Sequence, residues 1–170
     1  MRKGLLTRAS AAPAYCEMKT KVVGLTLALT LIGAVLCWAD PMTGTWNLNE
    51  AKSKFPAGAP KNTKVVYQNM GDQVKVTVDG VNGEGKASHN EWTGKFDGKE
   101  YAVTGDPELD GRCYTKVNDR TLQMKLMRDH KAVGSGKIVV SEDGKTRTVT
   151  NEWKDKDGKD TKVTAVYDKS

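Results

Sequence analysis

The chain has few of the residues from which active sites and cross-links are usually built. Two histidines among 170 residues leave little for acid–base or metal chemistry. Three cysteines cannot form a disulfide framework, and no Cys-x-x-Cys spacing offers a metal site. Neither a phosphate-cradling loop nor a dinucleotide fingerprint is present. Gly134-Ser135-Gly136 lacks the flanking spacing of a hydrolase nucleophile elbow. A sustained helical stripe is also missing, which excludes a helical bundle.

The single long apolar run covers residues 22–38, without a charge. It follows Lys19 and Lys21 and ends at Cys37-Trp38-Ala39 before Asp40-Pro41, the layout of a secretory signal with cleavage after Ala39. A retained anchor is the competing reading, but the run sits at the short limit for a span and contains two threonines and two glycines. Lipidation at Cys37 fits poorly, because Leu36 stands where a small residue belongs. Met18 begins a conventional signal by itself, so residues 1–17 read as an early start or a dispensable extension. The sequence therefore predicts a signal peptide over 18–39 and one domain over 40–170, secreted or periplasmic and without stable membrane insertion after cleavage.

This division changes the meaning of the charge. The full chain has 27 basic and 21 acidic residues, a net +6. Residues 1–39 hold Arg2, Lys3, Arg8, Lys19, Lys21 and Glu17, so the remainder has 22 basic and 20 acidic residues, a net +2. Nucleic-acid binding needs clustered cations and loses its support. Cys16 and Cys37 leave with the leader, and Cys113 remains alone.

Seventeen glycines sit among many Thr, Val and Lys, a composition of strands and tight turns. Alternation predicts ten strands, over 43–49, 63–70, 73–79, 86–95, 100–104, 112–117, 121–128, 133–141, 146–153 and 161–168. Asp79-Gly80, Asn82-Gly83, Asp97-Gly98, Asp143-Gly144 and Asp157-Gly158 supply hairpin-turn chemistry. Sequential strands joined by tight turns run antiparallel. Such a meander is an all-β, up-and-down barrel of about eight to ten strands or a two-sheet sandwich, and closure favours the barrel because it removes exposed edges. Residues 51–62, with Pro56 and Pro60, read as a lid or short helix over one end, or as a surface connection.

Period-2 reading places Val74, Val76 and Val78, then Leu122, Met124 and Leu126, then Val163, Ala165 and Tyr167 on inner faces. Asn90-Glu91-Trp92 and Asn151-Glu152-Trp153 form a weak repeat in which Asn and Trp share a face. Gly44-Thr45-Trp46 resembles the Gly-x-Trp opening of the lipocalin and fatty-acid-binding barrels, the calycins. The run through Asn49, followed by Ala51-Lys52-Ser53-Lys54-Phe55, resembles small secreted bacterial proteins with a lipocalin-like domain. The resemblance implies a tryptophan that closes the barrel base under a late basic side chain, for which Arg147 is the candidate, with a surface charge as the alternative reading of that residue. The lipocalin Thr-Asp-Tyr turn and disulfide pair are missing.

Candidate chemistry is thin. His89 and Glu91 lie two apart on one strand face, a possible metal or acid–base pair, with a solvated outer face as the alternative. His130 falls in a turn. Asp106, Glu108 and Asp110 echo a calcium loop, but Val117 occupies the twelfth position. The leading expectation is a non-catalytic barrel that takes a small, largely apolar molecule, with Trp46, Asn90, Trp92, Asn151 and Trp153 lining its lumen and no metal or cofactor. The alternative is a solid-core structural or protein-interaction module of the cell envelope, and an enzyme built on the lumen ranks third.

Overall fold

A computed structural model describes residues 40–154 and 158–170. The expected signal segment, the extension before it and Cys37 lie outside the described residues. The strands are β1 (Gly44–Leu48), β2 (Lys61–Met70), β3 (Gln73–Val81), β4 (Ala87–Gly94), β5 (Asp97–Thr104), β6 (Gly111–Asn118), β7 (Thr121–Arg128), β8 (Lys131–Val140), β9 (Thr146–Lys154) and β10 (Asp160–Lys169). Each pairs antiparallel with its neighbour in sequence, and β10 pairs back onto β1 through Trp46↔Lys169 and Leu48↔Tyr167. The result is a closed ten-strand antiparallel barrel, in which closure leaves no free edge in the wall.

The alternating pattern works as its chemistry requires. Val76, Val78, Leu122, Met124, Val163, Ala165 and Tyr167 are all buried, and the residues between them face outward. One end of the barrel, the base, holds the start of β1, the end of β10 and the β2–β3, β4–β5, β6–β7 and β8–β9 connections. The other end, the rim, holds the remaining connections.

Two local features depart from the sequence expectation, and a third makes it more specific. Asp79-Gly80 lies inside β3 rather than in a turn. A Cβ on Gly80 would run into the Lys61 carbonyl, beside the register shift between Asn62 and Lys64, so this glycine serves a close backbone approach. Asp97-Gly98 opens β5, and Gly98 (φ +81°) sits at a register shift toward β6. The segment after β1 lies at the rim, where Gly58 comes against Gly83 of the β3–β4 connection, and it includes a short helix. A one-turn 3-10 helix, Glu50–Lys52, is followed by Lys54, which exchanges backbone hydrogen bonds with Thr164 (2.7 and 3.0 Å). It continues the short β1 along β10, and Phe55 and Ala59 pack against the core.

Candidate functional site

At the base, Trp46 is fully buried and its indole donates to the Met42 carbonyl at 3.0 Å. The Arg147 guanidinium lies 5.1 Å from the Trp46 ring, 5.1 Å from Tyr67 and 4.5 Å from Tyr167. Arg147 is 1% exposed, so a late basic side chain does cover the first-strand tryptophan, held by three aromatic faces. Burial pushes the Tyr67 phenol far above its ordinary range, with the Tyr114 hydroxyl adding to the rise and Arg147 and Arg112 opposing it. The Tyr167 phenol is raised by burial against the pull of Arg147. Both phenols therefore stay protonated and uncharged.

Trp92 anchors a second aromatic cluster. Its ring stacks on Phe96 at 6.1 Å and meets Tyr101 and Tyr114 edge-on at 5.8 and 4.7 Å. Its indole donates to the Arg112 carbonyl at 3.1 Å.

The five lumen residues expected from sequence all belong to inner-facing strand positions, but they do not form one cup. Trp46 lies against Arg147 at the base, whereas Trp92 pairs with Val103 near the rim end of β5 and donates to the Arg112 carbonyl. Trp153 lies late in β9, which runs opposite to β4, from base to rim, and so sits near the rim. The Asn-Glu-Trp repeat thus recurs in antiparallel orientation. Its glutamates both point outward to lysines, Glu91 to Lys75 at 2.8 Å and Glu152 to Lys162 at 2.7 Å.

Asn90 and Asn151 occupy the middle of β4 and β9, which are half a turn of the barrel apart. Each presents a buried side-chain oxygen, Oδ1, without a hydrogen-bond partner among the described residues. The Asn151 amide lies over Gly136, whose missing side chain makes room for it and for the Met124 methyl. An unpartnered buried carbonyl costs about 1–3 kcal/mol, so two of them on facing walls call for an explanation. Toward the rim the inner face is part-exposed at Leu48, Leu126, Val149, Asn151 and Trp153.

Among the described residues the buried charged side chains are Arg112 and Arg147. Arg112, on the inner face of β6, was invisible to sequence reading because a cation in a strand is assigned to solvent by default. Its in-phase neighbour Tyr114 was the available signal. Arg112 Nη2 pairs with Asp106 Oδ2 at 3.1 Å, with both side chains largely buried.

His89 and Glu91 stand on the outer wall. His89 Nδ1 is 2.6 Å from Asp79 Oδ1, and Nε2 is 3.9 Å from Glu91 Oε1, with the imidazole more than half exposed. His130 is exposed beside Glu100, at 3.1 Å. The acids of the calcium-like segment are engaged within the fold. Asp106 holds Arg112, Glu108 pairs with Arg128 at 2.7 Å, and Asp110 accepts from the Asp129 amide at 2.7 Å. Cys113 is buried on the outward side of β6, and burial raises its thiol pKa. It borders a shallow outer groove of about 450 Å³ with Lys125, Lys137 and Lys162 on its margins.

No protein-family model matches the chain, and no curated protein matches it. A solved structure of EF1p2_mFAP2b bound to DFHBI aligns over 76% of this chain and 94% of its own, at 12% identity and a TM-score of 0.45. At that level the similarity carries no functional argument.

Proposed function

We propose that this barrel is a non-catalytic binding protein for a small, largely apolar molecule taken into its lumen, acting in a secreted or periplasmic setting. The observation that carries the reading is the pair of buried, unpartnered oxygens of Asn90 and Asn151 on facing inner walls. A core that only packs has no use for two such acceptors, whereas a pocket uses a few polar groups set among apolar and aromatic ones to orient its ligand. The part-exposed inner residues near the rim supply the apolar approach. Hydrogen-bond donors on the ligand would answer the two amides.

The test is a tryptophan-fluorescence titration with aliphatic and aromatic probes, paired with native mass spectrometry of the purified protein. Saturable binding that Asn90→Leu and Asn151→Leu weaken without lowering Tm supports the reading. A flat response across the panel, with no retained small molecule, sinks it. The second reading, a solid envelope module, draws on the dense base, where Trp46 and Arg147 are sealed from solvent. It predicts that the same leucine substitutions raise Tm and alter nothing else.

A further inference from the structure

Two hollows adjoin on the outer wall. The trough of about 450 Å³ beside Cys113 meets a second of about 650 Å³ toward the rim, and they share Lys125, Ser135, Glu152 and Lys162. Strand register explains the hollow. Those four residues form one outward row across β7, β8, β9 and β10. Ser135 is the short member of the row, and Gly134 and Gly136 on either side of it carry no side chain. Long side chains on β7, β9 and β10 therefore stand above a floor that follows β8.

The charges around this trough are unevenly answered. Glu152 is held by Lys162 at 2.7 Å, and Asp160 by Lys154 at 2.7 Å. Lys125 and Lys137 form no ion pair among the described residues, although they are diagonal neighbours on β7 and β8, a placement about 7–8 Å apart. Two like charges so close repel, and no acid of the wall is left over to offset them. Thr115, Gln123, Ser135 and Thr150 set hydroxyl and amide groups between the ammoniums, and Trp153 lines the rim end.

We propose that this trough is a binding site for an acidic polysaccharide, a chain of sugar rings each carrying a carboxylate, and that it works independently of any ligand in the lumen. Lys125 and Lys137 take carboxylates, the hydroxyl and amide groups meet sugar hydroxyls, and Trp153 offers an apolar surface to a ring. From β6 to β10 the trough crosses four strand spacings, about 19 Å, which suits an extended chain better than a single small anion. Other polyanions fit less well. A closed wall leaves no edge to which an acidic peptide can add as a strand. Glu152 and Asp160 interrupt the cations and repel a densely charged chain such as a nucleic acid or polyphosphate, whereas one carboxylate per ring is sparse enough to pass between them.

The experiment titrates the purified protein by calorimetry with oligogalacturonate, its fully methyl-esterified form, and poly-glutamate. Saturable binding of oligogalacturonate is expected, severalfold weaker at about 200 mM than at about 50 mM salt, with no binding of the uncharged ester. Lys125→Gln combined with Lys137→Gln should weaken it about tenfold. Lys64→Gln combined with Lys86→Gln removes the same charge from β2 and the β3–β4 connection and should leave it unchanged. Ser135→Leu raises the floor without altering charge and should abolish binding. All five side chains are exposed, so these variants keep the fold, which circular dichroism checks. A wild type that ignores oligogalacturonate, or binds its ester equally well, overturns the proposal. Equal losses from the two lysine pairs, or full binding by Ser135→Leu, reduce the site to diffuse charge and overturn it as well. Poly-glutamate bound as tightly as the uronate would put an acidic peptide in place of the polysaccharide.

Discussion

Arg147 shows how much a single side chain can do at the base. Its guanidinium is planar and can present both faces and an edge to Trp46, Tyr67 and Tyr167 at 4.5–5.1 Å, where a lysine ammonium is compact and strongly hydrated. Arg147→Lys is expected to destabilise the barrel by about 2 kcal/mol, the scale of a desolvated cation–π contact. Urea unfolding measures it, and a midpoint equal to wild type would show that the stacking contributes nothing. The position was readable from sequence because the Gly44-Thr45-Trp46 opening implies a basic cover from a late strand. Arg112 was not readable, because its partner Asp106 reaches it across a connection, and pairing of that kind has no periodicity.

At the scale of elements, each of the ten expected strands has its counterpart, and most follow the hydrophobic alternation that made them legible; β6, with Arg112 turned inward and Val117 exposed, departs from it. The turns were harder. Among the described residues the non-glycine positive φ angles are Asp129 (50°) and His130 (59°), which join β7 to β8. Two consecutive positive φ angles define a type I′ turn, where Asn-Gly is preferred. Asp129→Asn combined with His130→Gly is expected to stabilise the protein by about 1 kcal/mol. The backbone amide that donates to Asp110 remains in place. Denaturant midpoints of the double variant and wild type decide this, and a lower midpoint would mean that the His130–Glu100 contact outweighs backbone relief. Glycine was misleading as a turn marker here because it answers two needs. Gly144 supplies a positive φ (+69°) in a connection, while Gly80 supplies closeness to Lys61 inside a strand.

For the whole molecule, the burial that builds the base also sets a pH limit. Tyr67 and Tyr167 have phenol pKa values raised above the ordinary value of about 10. A raised pKa means that the folded state prefers the protonated form, so the stabilisation is intact below about pH 10 and is lost as pH climbs toward the folded values. Tm is expected to hold steady up to about pH 9.5 and to fall above it. Phenolate absorbance from these residues should rise together with the loss of near-ultraviolet circular dichroism. Complete tyrosine ionisation near pH 10 in a still-folded barrel would contradict this. The candidate site was partly legible at the same scale: sequence placed Asn90, Asn151 and the tryptophans on inner faces. It gave no height along the barrel, which depends on strand direction and stagger and separates Trp153 from Trp46.

The seam between β1 and β10 has a kinetic meaning. Asn47 and Ser170 touch across a sequence separation of 123, and Lys169 reaches the Pro41 carbonyl across 128. Hairpins can zip along the chain as it emerges, each closing a short loop. The ring itself closes only when the last strand finds the first, after the entropy of the longest loop in the domain has been met. A growing chain that has not yet released β10 is a curled sheet with two live edges, and the barrel's freedom from edges is acquired in one late step.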